Sequence, residues 1–180
     1  ALAADGLAAI SLFNSLLAAA SGALGWLIPE WIERKKPTLL GLLSGLIAGL
    51  VGITPAAGFV DPKGAFLIGL ITAPICYFAS TWLKAKLKYD DSLDAFGIHG
   101  IGGLVGAVLT GVFATLAVNP AAKDPSALKQ LLGTLAVVGW TGVFSYILLQ
   151  GVRVTLGLRV SEDEEIEGLD ATQHGESLQS

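Results

Sequence analysis

DSLDAFGIHGIGGLVGAVLTGVFA, residues 91–114, decides what kind of molecule this is. It is an apolar run with a single histidine, His99, followed by glycines at 100, 102, 103 and 106. Such a run suits the interior of a bilayer, where an ionisable side chain is costly unless it faces protein or a water-filled cavity. His99 is therefore the leading candidate for function; its other reading is a plain hydrogen bond to a neighbouring helix. The glycines leave one side of this helix almost without side chains. Ahead of them, Asp91 or Ser92 suits a helix cap, because acids favour the positive end of the helix dipole. Asp94 reads either as a cap or first-turn acid or as part of a substrate path.

The rest of the chain agrees with a membrane setting. Of 180 residues, 53% are apolar and only 14% charged, against roughly 25% charged in an average soluble domain. The 23 glycines are scattered through apolar runs, where they let membrane helices pack closely. One cysteine, Cys76, excludes a disulfide framework within the chain and any multi-cysteine metal site. The net charge of −4 hides an asymmetry. Beyond Arg159 there is no Lys or Arg but a run of carboxylates, so the membrane part is slightly basic and the tail acidic. No basic face with interleaved aromatics points to nucleic acid. There is no methionine, and the first residues already lie in an apolar segment without a basic leader. This argues against a signal peptide and for a chain that lacks its natural start.

Spanning a bilayer takes about 20 apolar residues, and five segments qualify: 6–28, 38–59, 64–83, 93–118 and 128–152. The first carries Ser11, Asn14, Ser15 and Ser21, which should face other helices, and closes with Trp26 and Trp31 as interfacial aromatics. In the second, Gly41, Gly45 and Gly49 form a groove on one face before Pro55, Gly58 and Pro62 break it. The third is expected to kink at Pro74 and ends among Trp82, Tyr89 and three lysines. The fifth contains Trp140, read as packing. The expected fold is an all-α polytopic membrane helix bundle over residues 1–158, with a tail over 159–180. Ser161 and Glu164 fit a capping box for a short helix stopping at Gly168. LDATQHGESLQS, residues 169–180, should depend on a partner for its order, and His174 reads as a solvated side chain.

Alternating spans put eight Lys or Arg on the side of the tail and three on the other. The positive-inside rule then makes the tail cytoplasmic. An odd number of spans again points to missing sequence, since inverted repeats come in pairs. Catalytic sets are absent from the sequence: no HExxH, no phosphate loop, no nucleophile with its base. An imidazole, with one nitrogen that donates and one that accepts, titrates near pH 6.5 in water, and dry surroundings favour its neutral form. That suits a pathway for a small polar species, whereas a carboxylate there would trap a cation.

Three stretches, GLIAGLVGITPAAGFV, DDSLDAFGIHGIGGLVGAVLTGVF and GLRVSEDEEIEGLDATQHGES, resemble in their order the ammonium transporter (Amt/Mep/Rh) family on its bacterial Amt side. The likeness runs from ADGLAA at Ala4 through the tail. It implies an eleven-span trimeric protein with a narrow apolar pore in each subunit, of which this chain resembles the last five spans and the tail. It implies that His99 matches the second of two paired pore histidines, Asp91 an acid near the inner mouth, and Asp94 the acid just before the pore region. Thr54 matches a hydroxyl position near the helix break. In the tail, Gly168, Leu169, Asp170, His174, Gly175 and Glu176 match the segment that packs beneath neighbouring subunits and couples them to PII-type signalling proteins. The family's first pore histidine, outer aromatic ammonium site and phenylalanine gate have no counterpart here, so the missing N-terminal half of the same protein must supply them.

The resulting expectation is a channel or transporter moving ammonium or ammonia across the cytoplasmic (inner) membrane, embedded among lipids, without a cofactor or metal and without enzymatic activity. His99 should sit in a dry, glycine-walled passage that this chain only half encloses. The alternative is an ammonium sensor or membrane scaffold coupled to a PII-type protein.

Overall fold

The computed structural model describes residues 3–176, and these are nearly all helical, with one isolated antiparallel bridge between Val60 and Ala114. Seven helices follow in order: α1 (Gly6–Arg34), α2 (Leu39–Ile53), α3 (Pro62–Phe78), α4 (Lys84–Leu87), α5 (Ile101–Phe113), α6 (Ala127–Thr155) and α7 (Glu162–Glu167). A π-helical turn at Ala79–Leu83 joins α3 to α4, a second at Phe96–Gly100 leads into α5, and a third at Asp170–His174 follows α7. Four helical stretches are long and apolar enough to cross a membrane: Gly6–Arg34, Pro62–Leu87, Phe96–Phe113 and Ala127–Thr155. This is a multi-pass, all-α membrane protein. The expected second span is the shorter helix α2, of 15 residues. Its regular part ends at Ile53 rather than 59, because Pro55 has no N–H to continue the ladder.

By its contacts the chain divides into residues 1–135 and 136–180, a boundary that falls inside α6. In the first unit, α1, α2 and α3 pack on one another through glycine. A Cβ on Gly22 would lie 2.5 Å from the Gly45 carbonyl oxygen, and one on Gly45 would lie 2.6 Å from Trp26 Cβ. Only bare backbone fits there, so the expected groove on α2 is where α1 seats. Trp26 is not an interfacial anchor: it is buried, edge-on to Tyr77 with centroids 5.4 Å apart, while Trp31 is exposed. The helix also continues six residues past the expected end, through the buried Pro29.

Asn14 does face its neighbours. Fully buried, it donates from Nδ2 to the carbonyls of Ala57 at 2.9 Å and Val60 at 2.8 Å, pinning the break after α2. The break after α5 is tied to the same place: Thr115 N–H donates to Phe59 O at 2.8 Å, and Asn119 Nδ2 to Gly58 O at 3.0 Å. Ser11 and Ser15 instead bond to carbonyls of their own helix. Near the freed carbonyl of Leu70, one turn before Pro74, α1 presents Gly25, whose Cβ would sit 2.8 Å from that oxygen.

Helix α6, which crosses that boundary, has no buried residue along its apolar length, and Trp140 stacks on Phe144 one turn on, at 4.2 Å. A surface of that kind belongs against lipid or other protein. The tail forms the expected capping box: Ser161 Oγ accepts from Glu164 N–H while the Glu164 carboxylate accepts from Ser161 N–H at 2.9 Å. Gly168 ends α7 with a left-handed φ of 104°. The remainder of the expected partner-dependent segment is described to Glu176; residues 177–180 lie outside the described residues.

Candidate functional site

The site grows from the start of the fourth span. Asp91 is its cap: Oδ1 accepts from Ala95 N–H at 2.8 Å, and Oδ2 from Phe96 N–H at 3.0 Å and Gly97 N–H at 3.4 Å. A carboxylate on these three open donors satisfies the helix end and complements its dipole. Asp94 is not a helical first-turn acid. Its backbone is left-handed, with φ 54°, and its Oδ1 lies 2.7 Å from Lys84 Nζ, which also donates to the Asp91 carbonyl at 2.6 Å. An aspartate tolerates that conformation better than most residues because its short polar side chain bonds locally.

From this anchored start the chain enters the π turn, in which Ile101 N–H donates to Phe96 O. Gly97 and Ile98 are buried, and the Ile98 carbonyl accepts from Cys76 Sγ at 3.7 Å. The His99 ring is exposed and makes no hydrogen bond among the described residues. Four residues on, a Cβ on Gly103 would meet nothing within 4 Å, so His99 and Gly103 share an open face. Gly100 is exposed and a Cβ there would meet only Phe96 of its own turn, whereas Gly102 and Gly106 turn inward. Gly102 packs on Cys76 and Val51, and Gly106 directly on the Gly52 backbone. Glycines 100, 102, 103 and 106 were expected to bare one side of this helix; two of the four, Gly102 and Gly106, serve instead to bring α5 against α2 and α3. The chain supplies one wall at His99 and does not enclose the ring.

Asp94 and His99 lie on different surfaces. Asp94 lines a polar cleft of about 240 Å³ together with Glu30, Arg34, Tyr77, Ser80 and Lys84, and His99 is not among the residues lining it. Glu30, buried in the cleft wall, accepts from Thr38 Oγ1 at 2.7 Å. Thr54 is exposed and its hydroxyl donates to its own helix at Leu50 O, 2.7 Å away. Among the described residues no group of His, Cys, Asp and Glu is arranged to hold a metal.

The tail residues belong to the second unit. Leu169 and Asp170 are exposed, as are His174 and Glu176; Thr172 N–H donates to Gly168 O at 3.1 Å and Glu176 N–H to Asp170 O at 2.8 Å, with Gly175 left-handed at φ 65°. Two participants in the site carry little signal in the sequence: Lys84 is one of three lysines flanking a span end, and Ser80 shows only as a hydroxyl inside the apolar run at residues 76–83.

A model of the Ammonium Transporter Family matches residues 1–178. An ammonium transporter of Bacillus subtilis (strain 168) is 46% identical over 183 residues, covering 98% of this chain and 45% of that protein. The crystal structure of Saccharomyces cerevisiae Mep2 superposes with a TM-score of 0.77 at 40% identity, over 85% of this chain and 39% of that one. A structure described as a sensor Amt protein superposes with a TM-score of 0.83 at 29% identity, over 94% of this chain and 42% of its own. The chain thus spans less than half the length of the relatives it matches.

Proposed function

This chain belongs to the ammonium transporter family, and from that premise we propose that it forms one wall of a path carrying ammonium or ammonia across a membrane. The observation that carries the reading is His99: a ring on an open, glycine-flanked face of a membrane helix, with no described partner for either nitrogen. A neutral imidazole offers one donor and one acceptor. It therefore matches ammonia or water, each of which both donates and accepts, without a fixed charge that would hold a cation in place. The opposing wall belongs to the rest of the protein, in keeping with relatives more than twice as long. Asp91 and Asp94 act at the mouth, the first by fixing the helix start and the second through Lys84 beside the polar cleft. Thr54 has the weakest claim, since its hydroxyl proton is already given to Leu50.

The loops richest in Lys and Arg support a cytoplasmic tail, with the chain in the cell's inner membrane. The apolar, unburied α6 supports assembly with further protein, which we take to be a homotrimer. The exposed acidic tail, with Gly168, Leu169, Asp170, His174, Gly175 and Glu176, is the surface for a PII-type signalling partner. A second reading, a sensor with little flux, draws on the likeness to the sensor Amt structure.

The deciding experiment is uptake of ammonium and methylammonium by vesicles holding the natural full-length protein and its His99→Ala variant. Since His99 is exposed in this chain, the variant should fold and lose uptake or change its selectivity. Unchanged uptake and selectivity would overturn the role of His99, and absence of flux in the unaltered protein would favour the sensor.

A further inference from the structure

We infer that the five-residue turn at Phe96–Gly100 is the device that aims His99, by seating Gly97 and Gly102 together on Ser80 and Cys76 of the preceding span. This deepens the proposed pathway, and its functional half rests on that reading.

In an α-helix residues advance by about 100° each, so positions five apart lie roughly 140° from one another. A π turn closes its hydrogen bond over five residues and brings such a pair back to the same side. Here Ile101 N–H, shared with Ile98 O, reaches Phe96 O across that wider turn, and Gly97 and Gly102 are five apart. Their partners, Ser80 and Cys76, are four apart, which places them on one side of the neighbouring helix. The fit is close at both points. A Cβ on Gly97 would lie against Ser80, with Ser80 Cα at 3.1 Å and Oγ nearer still, and one on Gly102 would lie 3.0 Å from Cys76 Sγ.

Between these contacts, Ile98 is buried and its carbonyl accepts a hydrogen bond from Cys76 Sγ at 3.7 Å. Ser80 itself lies in a second π turn, where Lys84 N–H reaches Ala79 O. Its hydroxyl is buried without a partner among the described residues. With Gly97, Ile98 and Gly102 all committed to this seat, His99 is left on the opposite, open side. An ordinary helical turn would carry Gly97 off Ser80 and His99 round the axis with it. Gly97, Cys76 and Ser80 are thus positioning residues, acting through the histidine and touching nothing that passes.

The test uses the natural full-length protein in membranes, labelled with ¹⁵N-histidine, with the His99 ring signals assigned by their loss in His99→Gln. Gly97→Ala places a methyl where Ser80 Oγ stands; it should displace the His99 signals and abolish most of the selectivity for ammonium over methylammonium. Gly97→Ala with Ser80→Ala frees that volume and should restore both. Unmoved signals in the single variant, or no recovery in the double one, overturn the inference. If the single variant does not accumulate, the double variant decides: wild-type signals support the seat, and displaced signals or failure to accumulate overturn it. Normal transport by His99→Ala would remove the pathway reading, while displacement and recovery of the ring signals would still establish the seat.

Discussion

Lys84 Nζ lies 2.7 Å from Asp94 Oδ1, joining the end of the third span to the left-handed residue that opens the fourth. Both side chains are about one third exposed, at 31% and 33%. A pair so open to solvent contributes little to stability by itself. Its importance is positional: the same ammonium holds the Asp91 carbonyl, and Asp91 holds the three N–H groups that begin the turn carrying His99.

Two substitutions at Asp94 separate charge from backbone. Asparagine keeps a short polar side chain that tolerates left-handed backbone, whereas alanine pays about 1–2 kcal/mol for it. Asp94→Ala should therefore unfold below Asp94→Asn in thermal denaturation, with Lys84→Met resembling the asparagine variant. Equal stability of the two Asp94 variants would show that the left-handed geometry contributes nothing.

Asn14 should be the most costly polar residue of α1 to remove. Asn14→Leu leaves the part-buried carbonyl of Ala57 and the buried carbonyl of Val60 without their donor. At about 1–3 kcal/mol for each of the two unsatisfied carbonyls the sum is about 2–6 kcal/mol, and removal of Oδ1, itself unpaired, lowers it toward the bottom of that range. Chemical denaturation in detergent measures it, and hydrogen exchange should rise first in the turn at residues 54–60. Stability within 1 kcal/mol of wild type, on the order of one ordinary hydrogen bond, would contradict this account.

The tail helix α7 should depend on pH through Glu164. Hydrogen bonds to its carboxylate, first from the Ser161 backbone, then from the Ser161 hydroxyl and more weakly from Gln173, hold its pKa below the usual glutamate value, against a small opposing effect of burial. A carboxyl whose pKa is lower folded than unfolded gives stability that is full above the unfolded value and lost as pH falls through the folded one. Amide protection at Glu165 and Gly168, corrected for intrinsic exchange, should therefore fade as the pH drops below the carboxylate range. Glu164→Gln keeps a capping box and should remove the dependence; a helix that fades equally in that variant would point to another group.

Much of the fold could be read directly. Long apolar runs mark the membrane helices because hydrocarbon excludes charge whatever the partners are. The Asp91 cap and the Ser161–Glu164 box were legible for another reason: a cap needs only residues within a turn of one another. The groove of Gly41, Gly45 and Gly49 was visible too, since the four-residue spacing puts them on one face. What lies in that groove was not, and Trp26 illustrates the difference. As a tryptophan near a span end it fits an interface, yet α1 seats so deeply on α2 that the ring is carried into the core against Tyr77.

At the candidate site the division is sharper. The amino-acid sequence by itself determined a lone imidazole within a glycine-rich membrane helix, begun by an acidic cap, because these follow from residue type and short-range spacing. Only the tertiary structure decided that Gly97, Gly102 and Gly106 turn inward, that Lys84 meets Asp94, that Thr54 is spent on its own helix and that His99 looks outward. The reason is that one widened turn rotates everything on one side of it relative to everything on the other. Whether the turn widens depends on the fit of Ser80 and Cys76, which come from a different span.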